Sequence, residues 1–173
     1  MTNAREVLTS SVTVEWFTPE KFVNSSRNVM GSIDLDPASC ASANEVIRAT
    51  AYFDKASDGL KQPWNGNVFL NPPYGRGGQS DWTKKLIKEY ENQNITSAIC
   101  LVNSATGNKW FQPLWQYPIC FPTGRIKFIS PVEGTKVKHS PTHSNAFVYL
   151  GEDVDAFINE FKQYGPIMVQ ANT

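Results

Sequence analysis

The chain has 173 residues, of which 40% are hydrophobic and 18% are charged, and this composition is typical of a globular protein with one hydrophobic core. Its 16 basic and 16 acidic residues give a net charge of zero. That balance argues against binding to nucleic acid by bulk charge alone and leaves room for an enzyme with a local basic face. No apolar stretch approaches the roughly 20 residues of a membrane span, and residues 1–6 carry no signal pattern, so we expect a cytoplasmic protein.

Cysteine and histidine usage predicts no metal site. Cys40, Cys100 and Cys120 are odd in number, widely spaced, and lie in or near apolar segments. They are typical of reduced thiols in a cytosolic protein. His139 and His143 share one polar loop, which argues against a zinc site.

Apolar periodicity and turn residues predict alternating strands and helices. We expect residues 1–14 to be flexible and residues 15–173 to form a single domain. In chain order, helices are predicted over 19–28, 38–50, 80–92, 108–115 and 153–163, and strands over 32–36, 66–71, 97–102, 118–121, 126–129 and 146–150. Strands that alternate with helices early, followed by a strand-rich second half, predict a three-layer α/β fold with a mixed sheet.

Local signals define some of these elements more closely. Thr18 is the expected N-cap of the first helix, because Pro19 follows it at the first helical position. Ser80 is the expected cap of the clearest helix, and the last helix is expected to bury Phe157 and Phe161. The apolar face of the helix over 80–92 consists of Trp82, Leu86, Ile87 and Tyr90.

The most informative motif is Asn71-Pro72-Pro73-Tyr74, which follows the apolar run over 68–70 at the end of the strand predicted over 66–71. Ligands of open α/β sheets bind at the carboxyl ends of strands. Two consecutive prolines make a stiff turn that presents the Asn71 amide and the Pro72 carbonyl beside the Tyr74 ring. Acceptors for an amino group next to a flat stacking surface favour methyl transfer to a planar amine.

The motif alone leaves the substrate open. Asparagine and proline also form ordinary turns. Similar tetrapeptides occur in enzymes that methylate adenine N6, guanine N2 in RNA, and protein glutamine. A protein of the same fold that binds DNA without catalysis is a further alternative.

A second cluster, residues 33–39, runs from a predicted strand into a predicted helix and places carboxylates at the junction. Asp34 or Asp36 there can accept hydrogen bonds from a ribose or an amino group, although Asp36 could also serve only as a helix cap. Asp58, in a predicted turn before the central strand, is expected at the rim of the same crevice. A Gly-x-Gly-x-x-Gly loop is absent, so a standard dinucleotide site is not indicated.

Six segments taken together resemble the small Dam-like DNA N6-adenine methyltransferases of bacteriophages and prophages. They are residues 15–19, 33–39, 58–60, 64–76, 109–112 and 124–128. The resemblance covers about residues 15–151. It implies a Rossmann-like S-adenosylmethionine-dependent methyltransferase fold, S-adenosylmethionine as methyl donor, and an adenine in duplex DNA as substrate. One departure is that Asp-Pro-Ala-Ser stands where methyltransferases usually have a glycine-rich loop, so which carboxylate meets the ribose and which the methionine amine stays open.

The resemblance implies roles for particular residues. The catalytic residues are Asn71, Pro72, Pro73 and Tyr74. Taken with the motifs described above, the resemblance gives the expected cofactor-binding residues as Trp16, Phe17, Thr18, Pro19, Asp34, Asp36, Pro37, Ala38, Ser39, Asp58 and Asn71. In the expected mechanism, the two N–H groups of adenine N6 donate hydrogen bonds to the Asn71 side-chain oxygen and to the Pro72 carbonyl. The adenine flips out of the duplex and stacks on Tyr74.

The loop over residues 131–144 is the predicted DNA contact, since loops of that length are usually functional or mobile. Basic and polar side chains on and near it would reach phosphates or bases. The DNA-binding residues are predicted to be Arg76, Arg125, Lys127, Lys136, Lys138, His139 and Ser140.

Overall fold

The structure is a computed structural model that describes residues 17–74, 78–129 and 143–171. Its helices are α1 (Glu20–Met30), α2 (Ala41–Ile47), α3 (Gly78–Glu91) and α4 (Val154–Phe161). Its strands are β1 (Leu35–Asp36), β2 (Ala51–Tyr52), β3 (Gly66–Leu70), β4 (Ile95–Asn103), β5 (Ile119–Cys120), β6 (Asn145–Leu150) and β7 (Ile167–Met168). Two short 3₁₀ helices span Gly59–Lys61 and Gln112–Gln116.

The strands form one mixed sheet in the order β2-β1-β3-β4-β6-β5-β7. Strands β1 to β4 pair in parallel, and β6 runs antiparallel to both β4 and β5. The chain leaves β1 toward one edge of the sheet and leaves β3 toward the other. The adjacent carboxyl ends of β1 and β3 therefore form the kind of switch point where α/β proteins bind ligands.

Side chains alternate between the two faces of the sheet, and a separate hydrophobic cluster covers each face. Phe69 packs with residues of α1, α2 and α4 in one cluster. Its neighbours Val68 and Leu70 pack with Trp82 and Leu86 of α3 in the other. Helices thus lie on both sides of the sheet, and the predicted α/β architecture with a mixed sheet is confirmed.

The long elements agree with the sequence prediction. Helix α4 buries Phe157 and Phe161 completely, as expected. In α3, Trp82 and Leu86 are buried while Ile87 and Tyr90 are partly buried, which confirms the predicted apolar face.

Several predicted boundaries are wrong, each for a local reason. Ser80 is not a cap, because α3 begins at Gly78. The helix predicted over 38–50 is shorter and ends where Arg48 adopts a φ of 51°. The segment 108–115 forms turns and a 3₁₀ helix that holds Pro113 near its start, where a missing N–H costs no hydrogen bond. The strand predicted over 126–129 is reduced to one bridge between Phe17 and Ile129.

Some predictions lie outside the described residues. They are the flexible segment 1–14 and residues 131–142 of the predicted DNA-contacting loop. No helix in the described part of the chain is long and apolar enough to cross a membrane.

Candidate active site

A cavity of about 760 Å³ opens at the carboxyl ends of β1 and β3. This volume lies within the range of small-molecule sites. Its lining residues are Phe17, Thr18, Asp36, Pro37, Ala38, Ser39, Cys40, Ala43, Ile47, Phe53, Asp54, Lys55, Asp58, Gly59, Leu60, Asn71, Pro72, Pro73, Tyr74 and Trp82. The cavity thus contains the two sequence motifs that the chain separates by more than 30 residues.

One wall is the turn after β1, and its central feature is a buried carboxyl group. Asp36 is only 1% exposed, and its Oδ1 atom accepts a hydrogen bond from the Ala38 N–H at 3.2 Å. Burial raises the pKa of Asp36 to about 7, although the Ser39 hydroxyl and the Ala38 N–H favour the charged form. The Ser39 hydroxyl oxygen is itself buried and makes no hydrogen bond of ordinary geometry within the described chain. This wall therefore holds polar groups that a ligand could satisfy.

The rim of this wall is the turn that leads into the 3₁₀ helix Gly59–Lys61. Asp58 adopts a φ of 52° and forms an ion pair with Lys61 at 2.9 Å, and this contact lowers the pKa of Asp58. The Trp64 indole donates to the Gly59 carbonyl at 2.8 Å. Gly59 packs against the Pro37 carbonyl so closely that a side chain there would clash. The rim is therefore fixed directly against the turn after β1.

The opposite wall is the Asn71–Tyr74 motif, held from both sides by hydrogen bonds. Asn71 Nδ2 donates to Thr18 Oγ1 at 3.2 Å, and the Tyr74 hydroxyl donates to Asn71 Oδ1 at 3.3 Å. Thr18 is 2% exposed. The prediction that Thr18 caps the first helix is wrong, because Pro19 occupies the cap position and Thr18 contacts the motif instead.

Behind this wall lies Asn145, which the sequence analysis missed. Asn145 is 4% exposed, and its Nδ2 atom donates to the Tyr74 hydroxyl at 3.3 Å. The available signal was a polar residue at the head of the apolar strand β6, whose residues are all buried. Burial raises the pKa of Tyr74, so this hydroxyl stays protonated.

The structure brings most of the predicted site residues together. Those that line the cavity are Phe17, Thr18, Asp36, Pro37, Ala38, Ser39, Asp58, Asn71, Pro72, Pro73 and Tyr74. Trp82, expected in the core, is buried there and also reaches the lining. Trp16 lies outside the described residues.

Two predicted cofactor residues do not line the cavity. Pro19 instead precedes α1, where its carbonyl accepts a hydrogen bond from the Phe22 N–H. The Asp34 carboxylate accepts hydrogen bonds from the Asn67 N–H at 2.8 Å and from the Ser32 hydroxyl at 2.9 Å. Asp34 therefore ties the start of β3 in place, at the end of that strand remote from Asn71.

Two predicted DNA-binding residues lie on a segment next to the motif. Arg125 and Lys127 are exposed, whereas Ile126 and Phe128 between and after them are buried. The Phe128 ring meets the Tyr74 ring edge to face at 6.0 Å between centroids. Arg76, Lys136, Lys138, His139 and Ser140 lie outside the described residues.

Within residues 17–74, 78–129 and 143–171, no group of histidine, cysteine or acidic side chains could hold a metal ion. Cys100 and Cys120 are buried free thiols, and Cys40 is half-buried at the cavity. Burial raises the pKa of Cys120 to about 12, so that thiol is protonated.

Comparison with known proteins bears on the chemistry of this cavity. No curated protein and no solved structure matches the chain significantly. The profile of one family, described as DNA N-6-adenine-methyltransferase (Dam), matches residues 6–162. The matched residues include both walls of the cavity. The match says nothing about a phage or prophage origin, which stays a prediction. The chain belongs to the DNA N-6-adenine-methyltransferase family, and it is an enzyme that transfers a methyl group to adenine N6 in DNA.

Proposed function

We propose that the cavity binds S-adenosylmethionine against the turn after β1 and holds the target adenine against the Asn71–Tyr74 motif. The observation that carries this assignment is that one cavity contains both walls, at the switch point between β1 and β3. A methyl transfer needs donor and acceptor side by side in a fixed geometry.

The arrangement of helices on both faces of a mixed sheet supports a Rossmann-like, three-layer methyltransferase fold. We further propose that residues 15–173 act as one catalytic domain. An enzyme that modifies DNA works where DNA is kept, so the proposed location is the cytoplasm, which would be that of the bacterial host if the protein is phage-encoded.

The lining suits the proposed donor. Three acidic residues, Asp36, Asp54 and Asp58, line the cavity together with one basic residue, Lys55. An acidic excess of this kind would complement a ligand that carries positive charge and hydroxyl groups. The buried Ser39 hydroxyl offers a further polar contact. Apolar surfaces from Phe53 and Leu60 suit a flat base. S-adenosylmethionine supplies an electrophilic methyl group attached to a positively charged sulfur.

Asn71 and Pro72 make the adenine amine a better nucleophile. The lone pair of N6 is delocalised into the ring, so the amine attacks poorly. Acceptance of its two hydrogens by the Asn71 side-chain oxygen and the Pro72 carbonyl favours a pyramidal nitrogen and frees the lone pair. Pro73 stiffens the turn that aims these two acceptors. Catalysis then rests on positioning and fixed dipoles, with no covalent enzyme intermediate.

The adenine has to leave the duplex to reach Asn71, at a cost of a few kcal/mol. We propose that the flipped base stacks on Tyr74, which lines the cavity. The exposed side chains of Arg125 and Lys127 lie on the segment that packs against Tyr74, and they would contact phosphates beside the flipped base. Arg76, Lys136, Lys138, His139 and Ser140 complete the proposed DNA-binding set.

The test is methylation of duplex DNA that lacks N6-methyladenine, with S-adenosylmethionine as donor and nucleoside mass spectrometry as readout. We expect N6-methyladenine to form with the wild-type protein and to fall below detection with Asn71→Ala. Calorimetry should show that this variant still binds S-adenosylmethionine, because the donor wall is intact.

Asn92→Ala is the matched control, since Asn92 is exposed beyond the end of α3 and should leave product formation unchanged. Full activity of Asn71→Ala would refute the assigned acceptor site. Loss of donor binding in Asn71→Ala would show that the donor and acceptor walls are misassigned.

A further inference from the structure

Asn145 stands at the start of a directed chain of hydrogen bonds that leads through Tyr74 to the proposed catalytic amide of Asn71. Its Nδ2 atom donates to the Val102 carbonyl at 3.5 Å and to the Tyr74 hydroxyl at 3.3 Å. The Tyr74 hydroxyl donates to Asn71 Oδ1, and Asn71 Nδ2 donates to Thr18 Oγ1. Five groups from four separate parts of the chain are thereby linked.

The direction of this chain is fixed at its Val102 end. A backbone carbonyl can only accept hydrogen bonds, so the Asn145 atom that faces Val102 has to be the amide nitrogen. The second proton of that nitrogen goes to the Tyr74 oxygen. Tyr74 has one proton of its own, and because the hydroxyl is buried and protonated it is best satisfied by donating that proton to Asn71.

The direction matters because an asparagine amide can be turned by half a rotation into nearly the same space. Turned that way, Asn71 would direct an NH₂ group where its carbonyl oxygen now lies, and two donors would meet at the adenine amine. Thr18 cannot prevent this, since a hydroxyl both donates and accepts. The proton that Tyr74 donates selects the orientation with the oxygen available.

The orientation of the Asn145 amide costs folding free energy, and packing alone does not explain why it is kept. The Asn145 Oδ1 atom is buried and has no hydrogen-bond partner within the described chain. An unsatisfied buried carbonyl is unfavourable, and such groups in folded proteins call for a reason.

We propose that Asn145 is a positioning residue for methyl transfer, which acts through Tyr74 to hold Asn71 with its side-chain oxygen toward the adenine amine. This inference rests on the proposed function, because it assumes that Asn71 accepts the amine hydrogens. Asn145 itself is not among the residues that line the cavity.

The test is a double-mutant cycle between Asn145→Asp and Tyr74→Phe, followed by steady-state methylation kinetics. An ionised carboxylate at this position can only accept hydrogen bonds, so it would draw the Tyr74 proton away from Asn71. We expect Asn145→Asp to lower kcat by about 10- to 100-fold, the scale of a misplaced reacting group, with the KM for DNA and the donor affinity nearly unchanged. In the Tyr74→Phe background the same substitution should lower kcat little further.

Asn145→Ala covers the case in which a buried carboxylate prevents folding, because it removes both donors without adding charge. It should lower kcat in the wild-type background and have little effect in the Tyr74→Phe background. Ser97→Ala is the stability-matched control. Ser97 is buried and donates to Asn67 Oδ1 at 2.9 Å near the start of β4, so its loss should lower the melting temperature without lowering kcat.

Equal losses of kcat in both Tyr74 backgrounds, or an unchanged kcat in the Asn145 variants, would overturn the inference. Either result is distinguishable from failure of the proposed function, because that failure would appear as activity retained by Asn71→Ala.

Discussion

Burial of Asp36 lowers the stability of the folded protein, whereas the proposed function needs this side chain as a charged carboxylate. Its carboxyl group lies in a position that is 1% exposed, where burial raises its pKa to about 7. Between about pH 4 and pH 7 the folded protein holds a proton that the unfolded chain releases. Stability is therefore lost as the pH rises through this window, by about 4 kcal/mol at most. A cationic ligand would recover part of this cost by stabilising the carboxylate.

Asp36→Asn separates these two effects. An asparagine oxygen can still accept the Ala38 N–H, and it removes the cost of burying a charge. We expect the variant to have a higher melting temperature than the wild type at about pH 8 and a similar one at about pH 4. Its affinity for S-adenosylmethionine should fall at least about tenfold, since one charge contact is lost. Thermal denaturation at both pH values and calorimetric titration check the two halves, and unchanged donor affinity would remove Asp36 from the proposed site.

The role of a single residue could not be predicted from sequence where its side chain contacts a distant part of the chain. Asn71 and Asp36 were predicted because each lies at the carboxyl end of a predicted strand. Asp34 has the same local context as Asp36. Only the fold shows that the Asp34 carboxylate accepts a hydrogen bond from the Asn67 N–H and does not line the cavity. Thr18 carries a strong capping signal, yet its hydroxyl bonds to a residue 53 positions away.

At the scale of elements, the segment over 125–129 connects the protein surface to the Asn71–Tyr74 motif. It alternates exposed basic residues with buried apolar ones, and its Phe128 supports the Tyr74 ring. Its end is joined to Phe17 by two backbone hydrogen bonds of 2.9 Å. A basic surface is thereby held at a set position relative to the cavity without belonging to the sheet.

Removal of both charges, by Arg125→Ala with Lys127→Ala, should weaken DNA binding and leave donor affinity intact. Because each phosphate contact releases about one counterion, the slope of log affinity against log salt should become shallower by about two. Binding isotherms on duplex DNA at several salt concentrations provide the measurement. Lys84→Ala with Lys88→Ala, two exposed lysines on α3, serves as the control pair. An unchanged slope would show that this segment does not contact phosphates.

The local apolar pattern decided which elements sequence could predict. Helix α3 and strand β4 are long enough for their apolar patterns to be distinct. Strands β2 and β7 have two residues each and no periodicity to detect, so both were missed. Their pairing depends on neighbours that tertiary structure supplies.

At the scale of the whole molecule, the two walls of the cavity follow strands that differ in the length of their pairing. The wall formed by the Asn71–Tyr74 motif follows β3, which pairs along its full length with β4, and β4 in turn pairs with six residues of β6. The opposite wall, where we propose that the donor binds, follows β1, which has two residues and is flanked by an equally short and exposed edge strand, β2. The α/β class and the mixed sheet were predictable from the alternation of elements. This asymmetry was not, because it depends on pairing lengths that no local pattern reports.

The short pairing of β1 and β2 has a consequence for amide hydrogen exchange. Segments with few backbone hydrogen bonds open without global unfolding, so the amides of residues 51–53 should exchange quickly while those of β4 and β6 exchange slowly. A ligand that binds only the closed form suppresses such opening in proportion to its affinity and concentration. We expect saturating S-adenosylmethionine to slow exchange around β1, α2 and β2 by at least about tenfold and to leave the central strands almost unchanged, as followed by mass spectrometry. Equal protection across the sheet would contradict this, and the pattern expected here would mean that the donor completes the folding of the part of the molecule that binds it.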